Sequence, residues 1–196
     1  SDLLERIINM RISKDPEVRR REIIDTAMKV FSQNGYEATS MTDIAKEINV
    51  VPGLCYRYFK SKQELYNTAV LIYAKECSAP IIEILNKEGL QLQDYLNLIG
   101  DKFIETDGKE QYHDFFHKSG NEMLHKQLEV EIIKLILPYV EKLLDNLNKQ
   151  NVIHIDDIKY TSAFILYGQM PIINDNTLSS KQKREKIIKI MTKLMI

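Results

Sequence analysis

Between Arg19 and Leu65 the chain carries three short helical patterns broken by tight turns, and the third runs into Gly53-Leu54-Cys55-Tyr56-Arg57-Tyr58-Phe59-Lys60-Ser61-Lys62. Apolar residues spaced three and four apart form a stripe that has to be covered by a neighbour, so three such stripes in under fifty residues leave few compact solutions. In the first helix Ile23, Ile24, Ala27, Val30 and Phe31 make the stripe, while Arg20, Glu22, Asp25 and Lys29 face water. Asn34-Gly35 is a stop signal. Thr39 and Ser40 are candidate caps for a second helix, whose Ile44, Ala45 and Ile48 face inward, with Ala45 small enough for a crossing helix to approach. Asn49 tolerates the left-handed backbone that a tight turn needs, and Pro52 suits the first position of a third helix. That helix, about two turns long, turns Cys55 and Phe59 inward and leaves Gly53, Leu54, Tyr56 and Arg57 outside, with Tyr58 open to either side.

This is the outline of a helix-turn-helix. In that motif the second of the paired helices enters the DNA major groove with its N-terminal residues, here Pro52, Gly53 and Leu54. Gly53 permits close backbone approach and Leu54 suits a thymine methyl, so polar readout falls to Thr42, Arg57 or DNA shape. Tyr56, Tyr58 and Lys62 have the hydroxyls and ammonium that grip phosphates, contacts that fix register without reading sequence. With Ser40 at the start of the second helix, these residues are the candidate DNA contacts. Helical hairpins also occur without a nucleic-acid partner. On that reading Tyr58 is core, Lys62 and Glu64 are surface charge at a helix start, and Cys55 is a small buried apolar group.

The series Ala27-x3-Phe31-x3-Gly35-Tyr36, Thr39-Ser40-Met41-Thr42-Asp43-Ile44-Ala45 and Gly53-x2-Tyr56-x-Tyr58-Phe59-x-Ser61-Lys62-x-Glu64-Leu65 resembles the DNA-binding domain of the tetracycline-repressor (TetR) family. The resemblance covers roughly residues 19 to 66, and its specificity comes from ordered matches across three helices. Two positions depart from it: Val51 stands where relatives have Ser or a similar cap, and Leu54 where Thr is frequent. A base or phosphate contact common in relatives is therefore expected to be missing. The resemblance implies an all-α protein in which a helical second domain binds a small effector and forms a homodimer through its last two long helices.

Composition alone would not have suggested DNA. The 196 residues are 44% hydrophobic and 28% charged with net charge −1, and nine Lys and Arg stand against eight Asp and Glu between Lys14 and Tyr66. Any positive surface must come from placement. Cys55 and Cys77 are too few and too far apart for a disulfide framework or a zinc site, which fits a reducing cytoplasm. No signal peptide is visible, and no run approaches the roughly 20 apolar residues that cross a bilayer. The expected organisation is an N-terminal extension over 1–15, the helix-turn-helix domain over 16–66 and a helical effector-binding and dimerisation domain over 67–196. In the extension Leu3, Leu4, Ile7, Ile8 and Ile12 fit a short amphipathic helix, packed on the body or a frayed terminus, and Arg11, Lys14 and Arg19 to Arg21 alternatively fit an arm near DNA.

Beyond Leu65 the pattern is almost continuously helical, punctuated at Pro80, Gly89, Asp107-Gly108, Ser119-Gly120, Asn148 to Asp156 and Asn174 to Ser179. A helix after Ser61 carries Leu65, Ala69, Ile72 and Tyr73 along one side, and further helices are expected over about 81–87, 92–106, 110–118, 122–148, 156–170 and 180–195. Tyr160, Phe164 and Tyr167, with Ile187, Met191 and Leu194, give the last two long helices apolar faces suited to a four-helix dimer interface or to an intramolecular core. Candidate walls for a largely apolar effector are Tyr73, Tyr95, Phe103, Tyr112, Phe115, Phe116, Met123, Tyr139, Phe164 and Met170, although such residues at helical spacing serve equally as core. His113 and His117 lie four apart, with Asp114, Glu122 and His125 as further donors, but an ordinary exposed pair is the simpler reading, so no metal and no cofactor are expected. These residues lack a nucleophile or a ligand signature, so no enzyme is expected either. The resulting expectation is a transcriptional repressor, homodimeric on a palindromic DNA operator and released by a small molecule. An activator, an effector-independent DNA binder and a helical protein-interaction adaptor are the alternatives.

Overall fold

A computed structural model of the protein describes residues 15–195, so the amphipathic helix expected in the N-terminal extension lies outside the described residues, as do Arg11 and Lys14 of the expected arm. Every regular element among the described residues is an α-helix: α1 (Pro16–Asn34), α2 (Met41–Glu47), α3 (Pro52–Tyr58), α4 (Lys62–Leu85), α5 (Leu92–Thr106), α6 (His113–Phe116), α7 (Glu122–Lys149), α8 (Ile158–Gly168), α9 (Met170–Ile173) and α10 (Ser180–Met195). The chain divides into two compact units between Ala69 and Val70, within α4. No described helix is long and apolar enough to cross a membrane.

In the first unit, Asp15 caps α1 by accepting from the Glu17 and Val18 amides at 2.8 and 3.4 Å, and Pro16 occupies the first turn. Gly35 ends α1 at φ +85°, where a side chain would be strained. The two hydroxyls that follow divide the work: Thr39 Oγ1 donates to the Gly35 carbonyl at 2.8 Å, and Ser40 alone caps α2. Asn49 adopts φ +54°, and the Val50 amide returns to the Ala45 carbonyl at 2.9 Å, which closes the turn into α3. The helices pack α1 on α2 and α2 on α3. Ile23, Ala27, Phe31, Ile44, Ala45 and Cys55 are fully buried there, and Met28 joins them. Phe31, Tyr36 and Tyr66 stack tilted or edge-on at centroid distances of 5.0 to 6.1 Å.

The second unit is a helical bundle in which α7 packs on α8, α5 on α10, and α9 on both α8 and α10. Its core gathers Ile84, Leu85, Leu92, Tyr95, Ile133, Leu144, Ile165 and Met191 among others. Asn148 secures the loop between α7 and α8 by donating to the Ile155 carbonyl at 3.1 Å and accepting its amide at 2.9 Å.

Three expected boundaries are corrected. Pro80 does not separate two helices but lies inside α4. Proline removes one backbone bond at a cost of about 3 kcal/mol or more, and burial of Ile84 and Leu85 beyond it holds the helix on the core regardless. The helix expected over 110–118 shrinks to four residues because Tyr112 takes the left-handed conformation at φ +69°. The helix expected over 156–170 is broken at Gln169, which separates α8 from α9. Pro138, passed over in the sequence, sits inside α7 on an exposed side where water can serve the freed carbonyl.

Candidate nucleic-acid interface and ligand cavity

Cys55 and Phe59 anchor α3, being 0% and 1% exposed, and this fixes which residues the helix presents outward. Val51 and Tyr56 are 67% and 52% exposed, Gly53 and Arg57 are also exposed, and Pro52, Leu54 and Tyr58 are half-buried. Thr42 is exposed on α2. Gly53 is not required by the fold: its φ is not left-handed, and a Cβ added there meets nothing within 4 Å. Gly53 is the second residue of α3, and without a Cβ it leaves the backbone at this exposed position open to close approach.

Two other candidates already have work within the domain. Ser40 Oγ accepts the Asp43 amide at 3.2 Å and donates to Asp43 Oδ2 at 2.6 Å, while the Ser40 amide donates to the same oxygen at 2.9 Å. These bonds hold the Asp43 carboxyl below its usual range. Lys62 Nζ donates to the Tyr36 and Glu37 carbonyls at 2.7 and 3.3 Å and lies 4.3 Å from the Tyr36 ring centre. It therefore fastens the turn after α1 to the start of α4, a role the sequence did not suggest, and keeps one N–H for any phosphate. Arg57, by contrast, makes no ion pair among the described residues.

The second unit encloses a cavity of about 790 Å3. Of the expected wall residues, Tyr73, Tyr95, Phe103, Phe116 and Met170 line it. The other five do not. Phe115 is buried behind Phe116, with ring centres 5.0 Å apart, because successive residues of a helical turn point in different directions. Tyr112 packs edge-on against Tyr73 at 5.6 Å, and Tyr139 packs against the core. Met123 and Phe164 are 76% and 70% exposed. Burial pushes the Cys77 thiol on this wall up to about 11, so it is a protonated thiol, and it raises the neighbouring Tyr73 hydroxyl as well.

The polar part of the wall holds His113, His117 and His125, whose rings follow one another at 4.1 and 4.3 Å. Glu110 Oε2 lies 3.3 Å from His113 Nδ1, and Glu129 Oε1 lies 3.7 Å from His125 Nε2. Burial, with His125 and His113 alongside, lowers His117 to about 4, so it is neutral at pH 7. Among the described residues no group of three or more His, Cys, Asp or Glu side chains is arranged to hold a metal ion. Asp107, Lys183 and Arg184 also line the cavity; Asp107 was read in the sequence only as part of a break at Asp107-Gly108, and the spacing of the three gave no sign that they would meet.

The last two long helices also present an apolar outer face. Tyr160, Phe164 and Tyr167 on α8 are 68%, 70% and 47% exposed, and Leu194 on α10 is 55% exposed. Met191 is turned into the core and Ile187 packs against it, so these two expected interface residues face their own bundle; Ile190, 45% exposed, takes the outward position instead.

The three short helices of the first unit define a helix-turn-helix domain, followed along the chain by a helical bundle with a cavity. The family model for bacterial regulatory proteins, tetR family, matches residues 23–69, which are thus a tetR-family helix-turn-helix segment. The uncharacterized HTH-type transcriptional regulator YuxN of Bacillus subtilis is 38% identical over 69 residues, which is 35% of this chain and 24% of that protein. IcaR of Staphylococcus aureus, an HTH-type negative transcriptional regulator of the biofilm operon icaADBC, is 41% identical over 49 residues, 25% of this chain and 26% of that protein. The chain thus aligns with about a quarter of the length of either relative. Its fold extends the likeness to nearly all of the chain. A TetR-family transcriptional regulator of Pectobacterium atrosepticum superposes with a TM-score of 0.64 at 19% identity, covering 94% of this chain and 95% of that one. GusR of Salmonella enterica gives 0.67 at 20% identity, covering 93% and 98%.

Proposed function

We propose that this protein is a homodimeric, sequence-specific DNA-binding regulator of transcription, a repressor that leaves a palindromic operator when a small, largely apolar molecule enters the cavity of its second unit. The observation that carries the DNA reading is Gly53, a helical glycine that the fold does not need, on an exposed surface of α3. The neighbouring Val51, Leu54, Tyr56 and Arg57 supply an apolar edge for thymine methyls together with a hydroxyl and a guanidinium for phosphate or base edges. The exposed Tyr160, Phe164, Tyr167, Ile190 and Leu194 support dimerisation, because a surface rich in large apolar side chains is costly to leave in water. A twofold dimer suits half-sites about one helical turn apart. The negative sign of regulation is supported by IcaR alone among the relatives described.

Release would be a population shift. A ligand that fits the cavity better in one arrangement of the dimer than in another stabilises that arrangement by the difference in its two affinities, and equal affinities would release nothing. The continuous helix α4, which runs from Lys62 in the first unit to cavity residues such as Tyr73 and Ile81, is the proposed lever.

Titration of Arg57→Ala on an operator fragment and on unrelated DNA tests the reading. A phosphate-gripping Arg57 predicts weaker binding to both and a salt slope lower by about one unit per protomer. A base-reading Arg57 predicts a loss confined to the operator. Unaltered binding to both would refute the assigned DNA surface.

A further inference from the structure

We propose that the cavity is selective for an organic anion, a carboxylate carried on a largely apolar body, with its charged group seated against Lys183 and Arg184 in the first turns of α10. This deepens the effector reading and rests on it, but not on DNA binding. Lys183 is 7% exposed, and its side chain 9%. Its one ion pair among the described residues is with Asp107 Oδ2 at 4.0 Å, beyond hydrogen-bond reach, with the Asp175 carboxylate acting on it only at longer range. Ammonium groups are rarely buried without a close partner, since desolvation costs more than a loose contact returns. Arg184 Nη2 donates to Asn97 Oδ1 at 3.4 Å and pairs with the Asp101 carboxylate at 2.9 Å, whereas its Nε is buried with no acceptor among the described residues. That guanidinium lies against the backbone of α5 only because residue 100 is glycine: a Cβ there would stand 2.8 Å from Arg184 Cγ and 2.9 Å from Nε. Among the described residues, Lys183 Nζ and Arg184 Nε on one cavity wall thus have no hydrogen-bond acceptor.

Two carboxylates of the same wall are better served. Asp107 Oδ2 accepts from Ser180 Oγ at 2.7 Å, and Glu129 Oε1 accepts from Asn174 Nδ2 at 2.5 Å with His125 beside it. Among the described residues Glu110 is held by His113 alone, and its Oε2 is buried without a hydrogen bond; a cationic ligand is therefore the rival to be tested. Ile132, Ile136, Leu144, Ile165 and Met191 on other parts of the wall suit an apolar body.

The test uses the full chain without DNA. Calorimetric titrations compare decanoate and 2-naphthoate with their primary amides and with decyltrimethylammonium, on the parent chain and on Lys183→Met. At least one acid should bind ten-fold or more tighter than its amide, and Lys183→Met should remove that preference. Without ligand, Lys183→Met should also raise Tm, by about 2–4 °C, because it replaces an under-partnered buried ammonium with an apolar chain of similar length. No binding of either acid, no preference over the amides, or tighter binding of the ammonium compound would overturn the proposal. So would a lower Tm with the acid preference intact, which would make Lys183 and Asp107 a structural ion pair. A parent chain that binds no operator would count against the regulator reading and would leave these DNA-free titrations interpretable.

Discussion

Gly53→Ala should separate stability from binding. Residue 53 lies in α3 with a φ that alanine adopts freely, and the added methyl meets nothing within 4 Å. The folded state should gain about 0.4–1 kcal/mol from the reduced entropy of the unfolded chain. At this chain length that is a rise in Tm of about 1–4 °C. On DNA the same methyl occupies the space where the backbone would approach the groove. A loss of about ten-fold per protomer is about 1.4 kcal/mol, and a dimer carries two such sites, so operator affinity should fall about a hundred-fold. Thermal melts and fluorescence anisotropy on a labelled operator measure the two quantities on the same preparation. Unchanged affinity would remove α3 from the DNA surface. A lower Tm would show that the glycine serves the fold after all, and would refute the reasoning from open space.

Three further outcomes are expected. Ser40→Ala removes the cap of α2 and should destabilise the chain by about 1 kcal/mol, read from urea melts, because Ser40 satisfies the Asp43 amide as well as its carboxylate. His117 should contribute a pH dependence: its folded value of about 4 lies below its unfolded value near 6.5, so the unfolded chain takes up a proton first. Stability should therefore fall as pH drops from about 6.5 to 4, and His117→Gln should make that decline shallower in melts across the same range. Phe164→Glu should yield a folded monomer by sedimentation and circular dichroism, since the ring is 70% exposed and contributes nothing to the bundle core; a persistent dimer would shift the interface elsewhere.

The first unit was legible because its rules are local. A stop at Asn34-Gly35, a turn at Asn49 and a start at Pro52 are decided by backbone preferences within a few residues, and the structure has Gly35 and Asn49 in positive φ and Pro52 in the first turn of α3. The second unit was less legible where distant packing overrules a local preference. Pro80 reads as a break, yet Ile84 and Leu85 carry α4 past it into the core. Phe115 and Phe116, adjacent in sequence, differ in that only Phe116 reaches the cavity, a matter of helix rotation that periodicity cannot assign over a four-residue helix. Lys183 and Asp107 meet across 76 positions of sequence, and the carbonyls that Lys62 binds belong to Tyr36 and Glu37, so neither pairing leaves a trace in local spacing. On α10, Ile187 and Ile190 are three apart on an apolar face, and only the bundle decides which one points outward.

The most direct test of the central claim is selection of bound fragments from a random-sequence duplex pool by the purified full chain, followed by titration of the enriched sequence at two salt concentrations. The account predicts an inverted repeat whose half-sites are centred about one helical turn apart, with affinity that falls steeply as salt rises. Failure to enrich any sequence above the starting pool would contradict the helix-turn-helix reading of α2 and α3 as a DNA surface.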